Sequence, residues 1–135
     1  MFYFLLILTI SGCQWDTSSD NLPNDYVLSW VDLPTYRNIH KEGRGMLVKP
    51  HVFEVGFDNN YIIVKQNPLL GEFLDAKIDE STLNYFIVRM EHDNIQEMVW
   101  GPLTSYEFDS LCYVLNISEI DFSIIYEKEK NVRLD

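Results

Sequence analysis

From residue 26 onward, short runs of β-branched and aromatic residues alternate with turn residues, a pattern typical of antiparallel strands. The strongest signal is a hairpin in which apolar runs at 51–57 and 61–66 flank Asp58, Asn59 and Asn60. Asp and Asn tolerate turn conformations, which favours a hairpin here. Further strands are predicted at 26–30, 46–49, 84–90, 96–100 and 122–126. Residues 40–45 are predicted as a loop, Gly101-Pro102 ends the strand at 96–100, and 69–82 has no clear pattern.

One helix is predicted after most of the strands, over about 104–116. Thr104 and Glu107 have the spacing of a capping box, which satisfies two backbone donors at a helix start. An apolar stripe follows at i, i+3, i+4 and i+7. It consists of Phe108, Leu111, Cys112 and Leu115. The order of elements predicts an α+β fold: an antiparallel β-meander sheet packed by one helix in the C-terminal half.

The amino terminus has the layout of a secretory leader. Residues 1–10 are apolar except for Thr9, the small residues Ser11 and Gly12 precede Cys13, and a polar segment follows. The apolar run is much shorter than the roughly 20 residues that span a bilayer. We therefore predict a signal peptide over 1–12, cleaved between Gly12 and Cys13. Its removal from the 135-residue chain leaves 123 residues, enough for one domain.

Because cysteine directly follows the cleavage site, residues 10–13 resemble the lipobox of bacterial lipoproteins. The resemblance implies a diacylglyceryl group on the Cys13 thiol, removal of the leader, and anchorage to the cell membrane or outer membrane, facing outside the cytoplasm. Two acyl chains hold a protein on a membrane far longer than one. One departure is that no Lys or Arg precedes the apolar run, since the first is Arg37. Either the terminal amine carries the only positive charge, or the true start codon lies upstream.

The mature chain is predicted to have three parts. Residues 13–25 form the lipidated cysteine and a polar, flexible tether, whose twelve residues after Cys13 reach roughly 40 Å when extended. Residues 26–127 form one globular domain, and 128–135 form a charged tail. If Cys13 is lipidated, Cys112 has no disulfide partner, and its apolar surroundings favour a small core side chain over a reactive thiol.

The net charge of −11 lies entirely outside the uncharged leader. Such acidity argues against nucleic acid as a partner, and we expect the body to stand off from anionic lipid. We predict neither catalysis nor a cofactor, because no nucleophile elbow, phosphate loop, dinucleotide fingerprint or zinc-protease motif occurs. His40, His51 and His92 lack ligand spacing. Glu91-His92-Asp93 is interpreted as a solvated turn, and Asp58-Asn59-Asn60 lacks the glycine and glutamate of a calcium loop.

Three segments, 55–68, 84–88 and 101–117, resemble a family of short bacterial lipoproteins known only as a domain of unknown function. The resemblance implies a lipid anchor and one small domain, but no activity. We therefore predict a non-catalytic lipoprotein that binds another protein, as an envelope component or an immunity-like inhibitor, with a basic partner suited to its charge. The alternative is a small-ligand or glycan module lined by strand aromatics, although these residues fit a core better. They are Trp30, Tyr61, Tyr85, Phe86 and Trp100.

Overall fold

The computed structural model describes residues 17–31, 33–71 and 76–126. Over these residues the chain forms antiparallel strands and one α-helix, α1 (Ser105–Leu115), as the α+β prediction requires. The strands are β1 (Thr17–Asn21), β2 (Tyr26–Val31), β3 (Asn38–Lys41), β4 (Met46–Val48), β5 (Val52–Phe57), β6 (Tyr61–Gln66), β7 (Leu69–Leu70), β8 (Lys77–Ile78), β9 (Asn84–Arg89), β10 (Met98–Leu103) and β11 (Ile124–Ile125).

The strands are divided between two larger sheets rather than forming one meander. The outer sheet has the order β1-β2-β3-β4, and the central sheet has the order β10-β9-β6-β5-β11. The predicted hairpin is present as β5 and β6, with Val55 opposite Val64. Residues 69–82, which had no clear pattern, contain a small separate hairpin of β7 and β8.

Apolar side chains form two clusters, one on each face of the central sheet. Ile62 and Val64 of β6 belong to the cluster shared with the outer sheet, whereas Ile63 belongs to the cluster beneath α1. Successive side chains of a strand point to opposite faces, so a strand buried on both sides has a continuous apolar run. The molecule therefore has three layers: outer sheet, central sheet and helix.

The helix starts where its cap predicts. The Thr104 hydroxyl accepts the Glu107 backbone N–H at 3.2 Å, and the Glu107 carboxylate accepts the Thr104 N–H at 3.0 Å. Phe108 and Cys112 of the predicted stripe are buried against the central sheet. The helix ends at Asn116, which has a left-handed conformation and donates to the Cys112 and Tyr113 carbonyls. The predicted helix and its capping box are confirmed.

Part of the segment predicted as a tether forms β1 instead. Its residues 17–21 pair with 27–31 of β2, and the Asp20 carboxylate bonds to the Tyr126 hydroxyl. The guanidinium of Arg37 stacks on the Tyr126 ring at 3.5 Å from its centroid. The segment Thr-Ser-Ser-Asp-Asn has no apolar alternation, so only pairing across the sheet places it in a strand.

Three other strand boundaries differ from the prediction. His40 and Lys41 belong to β3 rather than to a loop, because they pair with β2. Strand β10 continues through Gly101-Pro102, with an irregular register between Trp100 and Leu103. Proline is tolerated there because β10 is an edge strand and its missing N–H faces no partner. The strand predicted at 122–126 is limited to the two residues of β11.

Different loops close the two ends of the sandwich. At the basal end, defined by loops 33–37, 49–51, 67–71 and 79–83, the Asn67 side chain donates to the Thr82 carbonyl at 2.9 Å. At the apical end, defined by turns 22–25, 42–45, 58–60 and 91–97, the Asn24 side chain donates to the Asn59 carbonyl at 3.0 Å. Strand β1 begins at the basal end, because Thr17 lies opposite Val31 at the end of β2.

Candidate functional site

The outward side of α1 carries the most exposed large apolar and aromatic side chains of the described residues. Tyr106, Tyr113 and Val114 are 75–83% exposed. Together with Asp109 and Ser110 they are spaced i, i+3, i+4, i+7 and i+8, so they share one side of the helix. We call these five residues the helix face. The outward side of a surface helix is usually charged or polar, so two tyrosines and a valine there stand out.

A groove of about 330 Å³ runs beside the helix face. It is lined by Phe108, Asp109, Cys112, Tyr113, Ile117, Ser118 and Ile120. Burial raises the pKa of the Cys112 thiol, and the Asp109 charge raises it further. The thiol is therefore protonated at neutral pH, and the groove offers apolar walls with one carboxylate rather than a nucleophile.

The segment of the chain that contains α1 carries negative but no positive side chains. No Lys or Arg occurs between Arg89 and Lys128, an interval that holds eight Asp and Glu residues. The four that lie on α1 or just after it form no ion pair with any described residue. They are Glu107, Asp109, Glu119 and Asp121. The bond from the Thr104 backbone N–H lowers the pKa of Glu107, which keeps its carboxylate charged.

Two other carboxylates of this interval are engaged in a polar network at the apical end. The Tyr26 hydroxyl donates to Glu97 at 2.9 Å and accepts the Glu91 backbone N–H at 2.8 Å. Arg44 lies 2.8 Å from the Glu91 carboxylate and 3.7 Å from that of Glu97. Burial is the main cause that raises the pKa of Tyr26 to about 12, so the phenol keeps the proton that it donates. This network joins the two sheets and has a structural role.

Comparison with known protein families identifies the family of this chain. The chain matches the family model described as "Protein of unknown function (DUF3997)" over residues 23–128. The chain belongs to this family. No curated protein and no solved structure matches it. The resemblance to a family of unknown function is thus confirmed, whereas its lipoprotein part stays a prediction.

The predicted lipidation and cleavage positions of the DUF3997 chain, Cys13 and Gly12, lie outside the described residues. Thr17, the first residue that the structure describes, lies four positions after Cys13 and is paired in β1. No helix among residues 17–31, 33–71 and 76–126 is both long and apolar enough to cross a bilayer.

Polar clusters suggested by the sequence are explained by local contacts. The His92 ring bonds to the Asn60 side chain at 2.6 Å, and Glu91 pairs with Arg44 as described. The Asp58 carboxylate accepts the backbone N–H groups of Asn60 and Tyr61 at 2.7 Å each, which is turn chemistry. Within the part of the DUF3997 domain that the structure describes, no three His, Cys, Asp or Glu side chains are placed to share a metal ion.

Four of the five strand aromatics pack in the core, as predicted, whereas Trp30 is half-buried and belongs to neither apolar cluster. Tyr85 stacks on Phe108 of α1 with ring centroids 4.6 Å apart, and Tyr61 and Trp100 join the same cluster. Phe86 belongs to the cluster between the sheets. Sequence reasoning missed the helix face. The predicted inward stripe could have revealed it, because the remaining positions of the same helix must face outward.

Proposed function

We propose that the DUF3997 chain is a membrane-anchored, extracytoplasmic lipoprotein that acts without catalysis by binding a basic protein through its helix face. The observation that carries the binding role is the exposure of Tyr106, Tyr113 and Val114 on a helix whose own segment of the chain is acidic. The anchor is supported by the leader and Cys13 in the sequence.

Tyrosine suits such a role because it combines a large apolar ring with a polar hydroxyl and has few rotatable bonds. Tyrosines are enriched among the residues that dominate the energy of protein interfaces. Tyr106 and Tyr113 are seven positions apart, which is close to two full turns of the helix, and Val114 directly follows Tyr113. A partner surface that covers α1 would contact all three.

Charge favours a basic partner over a neutral or acidic one. Asp109 lies on the helix face and also lines the groove beside it. A Lys or Arg side chain of the partner could lay its aliphatic stem along Phe108 and Ile117 and place its cationic head at Asp109. The surrounding carboxylates would speed the encounter, so association should slow as salt is added.

The alternative of a ligand module built from strand aromatics gains no support from the described residues. Tyr61, Tyr85 and Trp100 are partly buried against α1, where they stabilise the helix layer instead of facing a ligand.

The anchor is tested by labelling cells with a fatty-acid analogue. We expect label on the parent protein and none on Cys13→Ser, which should also retain its leader, since the lipid is added to the thiol. Intact mass of the purified parent provides the second measurement. An unmodified Cys13 with the initiator methionine still present would refute the anchor.

The binding role is tested by photocrosslinking in the producing cells, with benzoyl-phenylalanine in place of Tyr113 or, as a control, of Glu42. Glu42 is also exposed but lies in the apical turn between β3 and β4. We expect a discrete adduct from position 113, absent from position 42, whose partner is identified as a basic protein. Equal adducts from both positions, or an acidic partner, would refute the proposal.

The purified partner then allows the contact to be measured. Tyr113→Ala and Asp109→Asn should weaken binding, while both variants unfold close to the parent because exposed substitutions have small effects on stability. Ser105→Ala is a matched control on the same helix but outside the helix face. Affinity that is unchanged by Asp109→Asn and by added salt would contradict the charge complementarity.

A further inference from the structure

Three exposed leucines lie at the basal end of the domain. Leu33, Leu70 and Leu83 have 44–57% of their surface exposed. Leu33 precedes the short 3-10 helix at 34–36, Leu70 ends β7, and Leu83 directly precedes β9. They come from three separate loops, so no local sequence pattern groups them.

Hydrogen bonds join the loops that carry these leucines. The His51 ring nitrogen Nδ1 lies 3.1 Å from the Thr35 carbonyl oxygen. The backbones of His51 and Asn67 exchange two hydrogen bonds of 3.0 Å, and the Asn67 side chain donates to the Thr82 carbonyl at 2.9 Å. This path runs from the loop of Leu33 through that of Leu70 to that of Leu83. His51 and Asn67 are both buried, so the arrangement is fixed from inside.

The predicted anchor joins the chain at this same end. Thr17 pairs with Val31, two positions before Leu33. Cys13 precedes Thr17 by four positions, which span about 13–14 Å when fully extended. The 40 Å reach expected for a tether that lasts to residue 25 is therefore not available, because 17–21 are held in the outer sheet.

We propose that the basal end rests on the bilayer, with Leu33, Leu70 and Leu83 in the interfacial layer of the lipid. This inference depends on the Cys13 anchor of the proposed function. The apical end also exposes apolar side chains, Met46 and Ile95 among them. However, β1 rises about 13 Å from Thr17 toward that end, and the apical turns extend beyond it. The four positions between Cys13 and Thr17 are too short, even when fully extended, to let those turns reach the lipid.

The contact is apolar rather than electrostatic. Lys49 is exposed at the basal end, and so is Lys77, which pairs with Leu70, but loop 79–83 of the same end carries the carboxylates of Asp79 and Glu80. With no excess of positive charge, attraction to anionic headgroups is not expected. The short link between Cys13 and Thr17 holds the basal end close to the bilayer, and the leucines bury their side chains in the interfacial layer of the lipid. The helix face is on the side of the domain in this orientation and stays open to a protein partner.

The experiment measures how close labelled positions come to lipid. Full-length, lipidated protein is isolated from its host, reconstituted in phosphatidylcholine vesicles that contain a nitroxide-labelled lipid, and labelled with an environment-sensitive fluorophore at an introduced cysteine. Lys77→Cys and Leu83→Cys report on the basal end, and Asn59→Cys on the apical turn. Ser19→Cys reports on the edge strand β1. The buried Cys112 should not react.

We expect several-fold stronger quenching at positions 77 and 83 than at 59 and 19, with no increase in quenching when phosphatidylglycerol is added. Adding Leu33→Ser and Leu70→Ser to the Lys77→Cys protein should weaken the quenching at 77. Equal quenching at 77 and 59, or the strongest quenching at 19, on protein whose mass shows a lipidated Cys13 would overturn the orientation and leave the anchor intact. An unmodified Cys13 would overturn the anchor itself.

Discussion

Removal of one hydroxyl group from the apical network should destabilise the protein at neutral pH. Tyr26 is fully buried, and its hydroxyl donates to Glu97 and accepts from the Glu91 N–H. In Tyr26→Phe both bonds are lost. A hydrogen bond to a charged group contributes about 1.5–3 kcal/mol, and an orphaned buried donor costs about 1–3 kcal/mol. Arg44 still compensates the Glu97 carboxylate in the variant, so we expect a total loss of about 1–3 kcal/mol.

The loss should depend on pH in a definite direction. The folded state raises the pKa of Tyr26 from 10.0 to about 12, so it favours the protonated phenol. The stability from this preference is complete below pH 10 and disappears as pH rises through 12. A shift of this size corresponds to roughly 3 kcal/mol. The parent should therefore lose stability between pH 10 and 12 faster than Tyr26→Phe.

Urea unfolding followed by circular dichroism at pH 7, 9, 10, 11 and 12 measures both effects. Tyr106→Phe is the matched control, because its hydroxyl is on an exposed ring and its removal should change stability by less than about 0.5 kcal/mol. Burial also raises the pKa of Tyr126, which is present in both proteins. Both proteins therefore lose the same part of their stability at alkaline pH through Tyr126, and the comparison isolates Tyr26. A difference in the free energy of unfolding between parent and Tyr26→Phe that stays constant from pH 7 to 12 would refute the reasoning.

Three further predictions concern the helix and its surroundings. Thr104→Ala should lower the free energy of unfolding by about 0.5–2 kcal/mol, measured by urea unfolding, because it removes the helix cap. Thr104→Ser should retain most of that stability, and equal losses in the two variants would contradict the capping box. Gly56→Ala would bring its Cβ into the Asp121 carbonyl oxygen, so the segment 121–123 that leads into β11 must shift, at a cost of about 1–3 kcal/mol. Hydrogen exchange should then show a less protected Ser123 amide, whose bond to the Val55 carbonyl would be disturbed, and unchanged protection would refute this. Cys112, buried and with a raised pKa, should react with iodoacetamide in Cys13→Ser protein only after unfolding; fast reaction in the native state would show that the groove admits the reagent to the sulfur.

The sequence by itself determined the elements whose signals are local. The hairpin of β5 and β6 follows from two apolar runs around Asp58, since the turn and the strands are adjacent in the chain. The helix follows from the Thr104 cap and a stripe that repeats with the helical period, and its start and end agree with the structure. The core positions of four of the five strand aromatics and the membership of a family of unknown function were also predicted correctly, whereas Trp30 joins neither cluster.

Only the tertiary structure decided how these elements are combined. Strand β1 has five polar residues and no alternation, and it is a strand because its backbone pairs with β2. The division into two sheets depends on pairings between distant residues, such as Tyr61 with Arg89, which leave no periodic mark in the sequence. The helix face and the basal leucines are surfaces assembled from what packing leaves exposed. Local periodicity in the sequence determines whether a segment forms a helix or a strand. Long-range contacts determine which elements pack against it, and therefore which of its side chains remain exposed.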